Sequence, residues 1–334
     1  MLCAPRGPLS AFLLDGLRRD PPLRALPPRS PDLPDEDGDD LHLALHLCYE
    51  LHYQGLEGVD AGWEWEPTLI ELRRNLEKRF QQALFDALGS PAPRSALDPA
   101  TVAGELRALA AEAPGPSLSK YLAREATAGQ FREFVVHRSI YHLKEADPHS
   151  WAIPRLTGRA KAALVEIQAD EYGGGRPERM HSVLFARTMR TLGLDDRPGA
   201  YLDRVPAATL ATVNLMSFLG LHRRWRAALA GHLVLFEMTS ALPNRRYGDG
   251  LRRLGYGAEA TGFFDEHVMA DSVHELVALN DLAGPLVADG LGEEVLFGAR
   301  ALALLDERWA GAVLEAWRAG RSSLRLPLEE AVPA

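Results

Sequence analysis

Two segments of the sequence place acidic residues and histidines at spacings that suit metal binding on a helix. The first segment contains Glu178 and His181. The second contains His267, Asp271 and His274. Because an α-helix has about 3.6 residues per turn, side chains three or four positions apart lie on one face. Each segment can therefore direct its ligands to one point, as in helical bundles that hold two iron or manganese ions.

Three further acidic residues are candidates for the carboxylates that such a site takes from other helices. Glu237 lies within the apolar run LVLFEMTSAL, and a buried carboxylate is costly unless a proton, a partner or a metal neutralises it. Glu145 follows aromatic and apolar residues on a predicted helix. Glu171 lies seven residues before Glu178, and three glycines between them interrupt the helix. Such carboxylates would bridge the ions, while imidazoles occupy the outer coordination positions.

A second histidine-rich segment lies nearer the N-terminus. His42, His46 and Glu50 follow one another at intervals of four residues on one predicted helix, and His52 lies nearby. A histidine pair at this spacing can bind a metal, but a single helix provides an incomplete site. We therefore interpret the segment as a polar helix face or a lid. Glu50 remains a candidate contact for a substrate.

Other candidate substrate contacts lie close to the predicted ligands. Arg245 and Arg246 follow directly on the predicted helix of Glu237, and they could bind a substrate carboxylate through paired hydrogen bonds. A basic cap at the C-terminal end of that helix is an equally good interpretation of the pair. Tyr141, on the predicted helix of Glu145, is a further candidate.

Helices must position these residues, because apolar residues recur at helical spacing along most of the chain. Strand-like alternation is nearly absent. The stretches predicted to be helical begin at residue 41 and continue at 66–88, 98–113, 117–145, 156–172, 177–192, 204–221, 222–241, 260–282, 285–305 and 306–320. Glycine and proline separate them, for example at Pro243. The sequence therefore predicts an all-α fold.

Composition divides the chain into four predicted regions. Residues 1–40 are rich in proline and end in an acidic run, which predicts a flexible extension. Residues 41–115 are predicted to form an N-terminal helical region, 116–284 the core with the metal site, and 285–334 the C-terminal helices and a tail.

Charge and composition argue against several classes of protein. The 334 residues carry a formal net charge of −9, which argues against a nucleic-acid partner, because phosphate binding requires a basic face. No apolar run reaches the length of about 18 residues that a membrane span needs. The two cysteines are too few for a disulfide framework, and we therefore expect a cytoplasmic location.

The order and spacing of these residues resemble the haem-oxygenase-like diiron oxidases, which are also described as iron-containing redox enzymes. The similarity extends from about residue 117 to 282 and includes the stretches HLKEADPHSW, LVEIQADEYGGGRPERMH, HLVLFEMTSALPNRRYGDG and FFDEHVMADSVHE. It implies a haem-oxygenase-like helical bundle around two non-haem irons, to which the N-terminal helical region is added. The ligands that the resemblance implies are Glu145, Glu178, His181, His267, Asp271 and His274, with Glu171 or Glu237 as a supporting carboxylate.

The resemblance also implies a function. Two iron ions, with manganese as the alternative metal, would activate O2 and oxidise a small organic substrate. Hydroxylation, N-oxygenation, desaturation and oxidative C–C cleavage are the reactions that such a site suggests. An arginine-lined pocket would favour an amino acid or another carboxylate. A separate electron donor is expected, and a homodimer is compatible with the resemblance.

Two alternatives stay open. The first is a metal-free helical protein of the haem-oxygenase-like fold that binds a small ligand or a partner. The second is a ferritin-like dimetal protein, for which a second Glu-x-x-His motif would be expected in place of Asp271 and His274. The iron content of the purified protein distinguishes the enzyme from the metal-free alternative.

Overall fold

The structure is a computed structural model that describes residues 2–22, 38–94, 96–111 and 117–328, apart from the side chains of 270–273. Within these residues the regular structure is entirely helical, which confirms the predicted all-α fold. In chain order the α-helices are α1 (Pro8–Leu17), α2 (Asp39–Glu50), α3 (Pro67–Leu88), α4 (Pro99–Ala110), α5 (Leu118–Arg124), α6 (Ala128–His142), α7 (Asp147–Ser150), α8 (Gly158–Glu171), α9 (His181–Thr191), α10 (Ala207–Leu221), α11 (Arg226–Arg253), α12 (Ala258–Leu276), α13 (Gly284–Leu286) and α14 (Gly292–Arg318). Two π-helical segments, Val277–Ala283 and Val287–Leu291, flank α13.

Helix α11 lies at the centre of the molecule. Its first half is buried on every side, as expected for a helix that is apolar all round. It packs against α12 on one side and α14 on another. Glycines make the contact with α14 close: a Cβ atom on Gly231 would lie 1.9 Å from the carbonyl oxygen of Val295, and one on Gly298 would lie 1.8 Å from that of Ala228. The two helices therefore touch backbone to backbone.

Three predicted helix boundaries are wrong. The predicted helix over 117–145 is divided into α5 and α6, because Thr127 and Gln130 form a capping box that starts α6 afresh. The pair predicted over 285–320 is mainly the single helix α14. The predicted break at Pro243 does not occur, since α11 continues through it and buries Tyr247 and Leu251 beyond it. Tertiary packing there outweighs the loss of one backbone hydrogen bond.

The N-terminal residues 2–22 also differ from the prediction. They were expected to be flexible, but they form α1, which packs on α2 with Leu13 and Leu14 fully buried. The Asp40 carboxylate accepts hydrogen bonds from the backbone N–H groups of Leu9 and Ser10, each at 2.8 Å. It therefore caps the first turn of a helix that precedes it by thirty residues. The remainder of the predicted extension, residues 23–37, lies outside the described residues.

Hydrogen bonds hold Trp317 and Ser323 against α6. The Glu133 carboxylate accepts from Trp317 Nε1 at 2.8 Å and from the Ser323 backbone N–H at 2.8 Å. His137 lies between Thr209 Oγ1, at 2.6 Å, and Ser323 Oγ, at 3.0 Å. Burial lowers the pKa of His137 to about 3, so the folded protein keeps this imidazole neutral.

We predict that Gly298→Ala destabilises the protein by about 1–3 kcal/mol or more, because the new methyl group overlaps a backbone carbonyl that cannot move alone. Gly311→Ala, on the exposed face of the same helix, has open space around it and serves as the matched control. It should be neutral or stabilising by about 0.5–1 kcal/mol. Urea unfolding of both variants gives the comparison. Equal free energies of unfolding would show that α11 and α14 are not in backbone contact.

We also predict that His137 makes folding sensitive to acid. An unfolded histidine takes up a proton near pH 6.5, whereas the folded imidazole stays neutral down to about pH 3. The stability that this burial contributes is therefore present above pH 6.5 and falls as the pH drops below it, by about 1.4 kcal/mol per pH unit. In His137→Gln the free energy of unfolding, measured in urea at pH 7 and pH 5, should depend less steeply on pH. Identical slopes for both proteins would contradict the prediction.

Candidate metal centre

Buried carboxylates and imidazoles meet in the middle of the bundle. Glu145, Glu171, His181 and His267 each offer one ligand atom, and these four atoms lie within 4.8 Å of one another. All four side chains are at most 8% exposed. The group has the composition of a metal site that takes nitrogen and oxygen ligands.

A second group lies directly beside the first. It consists of Glu171, Glu237 and His274, whose ligand atoms again lie within 4.8 Å of one another and are buried. Glu171 belongs to both groups. A carboxylate has two oxygens, so one such residue can face two ions at once. The two groups are therefore adjacent and share one side chain.

Ends of helices bring several of these residues together. Glu145 lies in the turn that follows α6, next to Ala146, which has a positive φ of 74°. Glu171 is the last residue of α8, and His181 is the first residue of α9. The remaining ligands project from the long helices α11 and α12, which pack closely on each other. Sequence-distant segments thus supply one compact site.

Unsatisfied atoms at the centre fit the binding of a cation. Among the described residues, Glu145 Oε2, His181 Nδ1 and His274 Nδ1 are buried without a hydrogen-bond partner. His181 Nδ1 lies 2.8 Å from Glu171 Oε2, yet the two atoms are not aligned as a hydrogen bond. Buried polar atoms are normally paired, and each unpaired one costs free energy. A metal ion would satisfy these atoms together, so the residues fit such an ion.

In two histidines, one ring nitrogen pairs with another group of the protein and the other faces a carboxylate of the cluster. His267 Nδ1 lies 2.8 Å from the carbonyl oxygen of Phe263, and because a carbonyl only accepts, this nitrogen carries the proton. His267 Nε2 then faces Glu145 at 3.6 Å with its lone pair. His274 Nε2 lies 3.0 Å from Asp170 Oδ2, which leaves Nδ1 facing Glu237 at 3.5 Å. Both arrangements are typical of histidines that ligate metals.

Electrostatics in the site couples the imidazoles to the carboxylates. Burial alone would lower the pKa of His274, but Glu237 and Asp170 raise it to about 9. Burial would also lower the pKa of His181, but the Glu171 carboxylate outweighs this effect and raises that pKa. The negative charges in this site thus hold positive charge on the neighbouring rings. A divalent cation would supply that positive charge and displace the protons.

Two of the predicted ligands are not part of the described groups. Glu178 is exposed in a short 3-10 turn, Pro177–Arg179, and belongs to neither group. Met180 has an extended ψ of 135°, so α9 begins only at His181, and the two residues do not share a helix face as predicted. The side chain of Asp271 lies outside the described residues.

The predicted substrate contacts separate into two sets. Tyr141 lines a narrow cavity beside the ligands. Arg245 is exposed on α11, and Arg246 donates to Ser119 Oγ at 3.2 Å; neither lines this cavity. Glu50 also lies elsewhere and forms an ion pair with Lys144. The cavity is lined by Tyr141, Glu145, Ala146, His149, Gln168, Glu171, Leu233, Phe236, Glu237, Ser240 and His267.

The histidine-rich segment on α2 is a packed helix face. The His42 ring stands edge-on to Phe80, and Asn214 Nδ2 lies 3.3 Å from His42 Nδ1. Burial lowers the pKa of His46 to about 4. Among the described residues, this segment contributes no group of three metal-ligating side chains.

Three residues that contact the ligands were not singled out from the sequence. Asp170 accepts from His274, and His142 Nδ1 lies 2.8 Å from Glu145 Oε1. Gln168 lines the cavity. The sequence does contain a hint of the His142 contact, because His142 precedes Glu145 by three residues and side chains at this spacing can lie on one helix face. Asp170 and Gln168 could not be recognised, because their roles depend on how α8 lies against other elements.

Comparison with known proteins agrees with this chemistry. A family model described as iron-containing redox enzyme matches residues 132–307. A nitrosourea synthase from Streptomyces achromogenes subsp. streptozoticus is 29% identical over 169 residues, which cover 49% of this chain and 36% of that enzyme. The chain therefore spans well under half the length of this relative. In the described part of the chain, no helix is both long and apolar enough to cross a membrane.

We predict that Asp170→Asn weakens metal binding by about 10- to 100-fold, because the neutral amide no longer holds the His274 ring as a carboxylate does. Glu166→Gln is the matched control, since it removes a charge from an exposed position on the same helix. Titration of the metal-free proteins with ferrous iron under anaerobic conditions measures the affinities. Equal affinities of the two variants would show that Asp170 does not support the site.

Proposed function

Because this chain belongs to the iron-containing redox enzymes, we propose that it is a non-haem diiron enzyme that uses O2 to oxidise a small organic substrate. The observation that carries the proposal is the position of Glu171 in both groups of candidate ligands. One carboxylate within reach of two clusters favours two ions over one. Histidine and carboxylate ligands suit iron, with manganese as the alternative.

The proposed ligands are the six residues of the two groups together with Asp271 from the sequence pattern. Glu171 takes the bridging position, and Glu237 supports the second ion beside His274. Glu178, which the resemblance implies as a ligand, could join only if the turn between α8 and α9 rearranged, because it is exposed here. We therefore assign the bridging role to Glu171.

Two ferrous ions in this site would supply electrons to dioxygen and make oxidation of an unactivated substrate accessible. The surrounding residues prepare the cavity for that chemistry. Burial raises the pKa of Tyr141 well above its usual value, so its hydroxyl keeps a proton and can donate it in a hydrogen bond. Leu233 and Phe236 make one wall apolar, which limits the access of water. His142 donates to Glu145 and holds that carboxylate in place.

The reaction outcome and substrate are part of the proposal. The relative is named a nitrosourea synthase, and we propose oxidation at a substrate nitrogen as the first reaction to test. Hydroxylation, desaturation and oxidative C–C cleavage are the other outcomes that the same chemistry would permit. We also propose a separate electron donor, a cytoplasmic location and, as an arrangement to test, a homodimer.

A metal-free helical binding protein is the competing function. The unpaired buried atoms of Glu145, His181 and His274 argue against it, because an apo site would leave them unsatisfied. A ferritin-like protein is disfavoured by the match to the family of iron-containing redox enzymes.

We predict that the purified protein takes up two ferrous ions per chain and that Glu171→Ala loses both, because the change removes the residue common to the two groups. Glu178→Ala is the comparison, since it removes a carboxylate from the neighbouring turn. It should retain iron binding. Iron content and the absorption change after exposure to O2 are the measurements.

The opposite pattern, with iron retained in Glu171→Ala and lost in Glu178→Ala, would transfer the bridging role to Glu178. Wild-type protein that binds no iron at all would refute the proposed function and favour the metal-free alternative. The far-UV circular dichroism of each variant should stay helical, which separates the loss of ligands from the loss of the fold.

A further inference from the structure

The geometry points to Gln168 as the residue that positions the substrate, through a side-chain carbonyl that accepts a hydrogen bond from an N–H or O–H group beside the metal centre. The inference rests on the proposed function, since it takes the cavity beside the ligands as the substrate site. Gln168 is not one of the candidate ligands. It lies on α8, three residues before Glu171, and is 3% exposed.

The orientation of the Gln168 amide is determined by its partners. Its Nε2 atom donates to the carbonyl oxygen of Ala146 at 2.7 Å and to Ser150 Oγ at 2.7 Å. The carbonyl of Ala146 can only accept, so the nitrogen and not the oxygen must face it. Two hydrogen bonds therefore fix which end of the amide is presented elsewhere.

The other end of the amide has no partner. Gln168 Oε1 is buried and makes no hydrogen bond within the part of the chain that the structure describes. Gln168 also lines the cavity, together with the ligands Glu145 and Glu171. A buried acceptor without a donor is costly, and a site that retains one discriminates strongly in favour of a molecule that supplies the donor. The carbonyl is thus an acceptor held ready for a ligand.

A hydrogen-bonded network makes this acceptor rigid. Ser150 Oγ lies 2.9 Å from the Tyr172 hydroxyl, which donates to Asp147 Oδ1 at 2.8 Å. The network ties the turn that carries Glu145 to the end of α8 that carries Glu171. Position and orientation of a substrate-binding group matter because small displacements reduce rates steeply. Gln168 is therefore fixed relative to both ligands.

The residues that line the cavity also bear on which chemical groups of a substrate it can bind. None of the described residues that line it is lysine or arginine, and Arg245 and Arg246 lie elsewhere. The described lining thus offers no side chain of fixed positive charge, contrary to the expectation of an arginine-lined pocket. The unpaired carbonyl of Gln168 instead favours a substrate group that donates a hydrogen bond, such as an amine or amide nitrogen or a hydroxyl.

The experiment uses small probes on the anaerobic, ferrous-loaded protein. N-methylacetamide has one N–H group, N,N-dimethylacetamide has none, and acetate is an anion of similar size. Paramagnetic broadening of their methyl proton resonances reports how closely each approaches the iron, without turnover. We expect N-methylacetamide to be broadened on the order of fivefold more than N,N-dimethylacetamide, because only the former can pair with Gln168. Acetate, which can ligate iron directly, is the reference for the closest approach of a methyl group to the metal.

Variants separate the acceptor from the anchoring role of the same amide. Gln168→Leu removes the carbonyl, and Gln168→Asn withdraws it by one methylene group; both should lose the preference for the N–H probe. Ser150→Ala removes one partner of Nε2 but retains Oε1, so it should keep the preference. Each protein is compared at equal iron content.

The outcomes that overturn the inference differ from those that refute the proposed function. Equal broadening of the two amides in the wild-type protein, or a preference that survives in Gln168→Asn, would overturn the inference. So would the absence of broadening by both amides in protein that holds iron. A wild-type protein that binds no iron would refute the proposed function, and the inference with it.

Discussion

The structure depends on a concentration of negative charge in its interior. Glu145, Glu171 and Glu237 are buried within one cavity among apolar side chains. Carboxylates in such surroundings are stable only when positive charge is close to them. In the protein alone, imidazole rings provide it, as the raised pKa values of His181 and His274 indicate. Divalent cations could replace the protons on these imidazole rings, and the proposed function depends on this exchange.

Two long helices that pack on each other carry several residues of the centre. Helix α11 carries Glu237 and is held against α14 by backbone contact at Gly231 and Gly298. Helix α12 supplies His267 and His274 from the opposite side. The rigid pair can thus hold ligands in fixed positions, while the ligands at the ends of α8 and α9 lie on shorter elements. Rigid elements surround the part of the site where precise geometry matters most.

In the proposed site, the residues around the ligands determine which groups of a substrate can be bound. His142 and Asp170 orient ligands, whereas Gln168 connects the Glu145 turn to α8 and keeps one carbonyl unpaired. The nitrogen of this amide donates two hydrogen bonds within the protein, while its oxygen accepts none. None of the described residues that line the cavity is lysine or arginine.

The helical class and the residue types of the centre can be predicted from the sequence, because helical periodicity and the cost of an isolated buried carboxylate are local properties. For this reason the apolar run predicts a role for Glu237, and the spacing on one helix predicts a role for His267 and His274. Long-range packing places Glu171, and not Glu178, in both groups, since the glycine turn separates α8 from α9 and redirects the chain. The continuation of α11 through Pro243 and the packing of residues 2–22 were likewise decided by distant partners. Contacts between segments far apart in sequence carry those energies, and no local pattern records them.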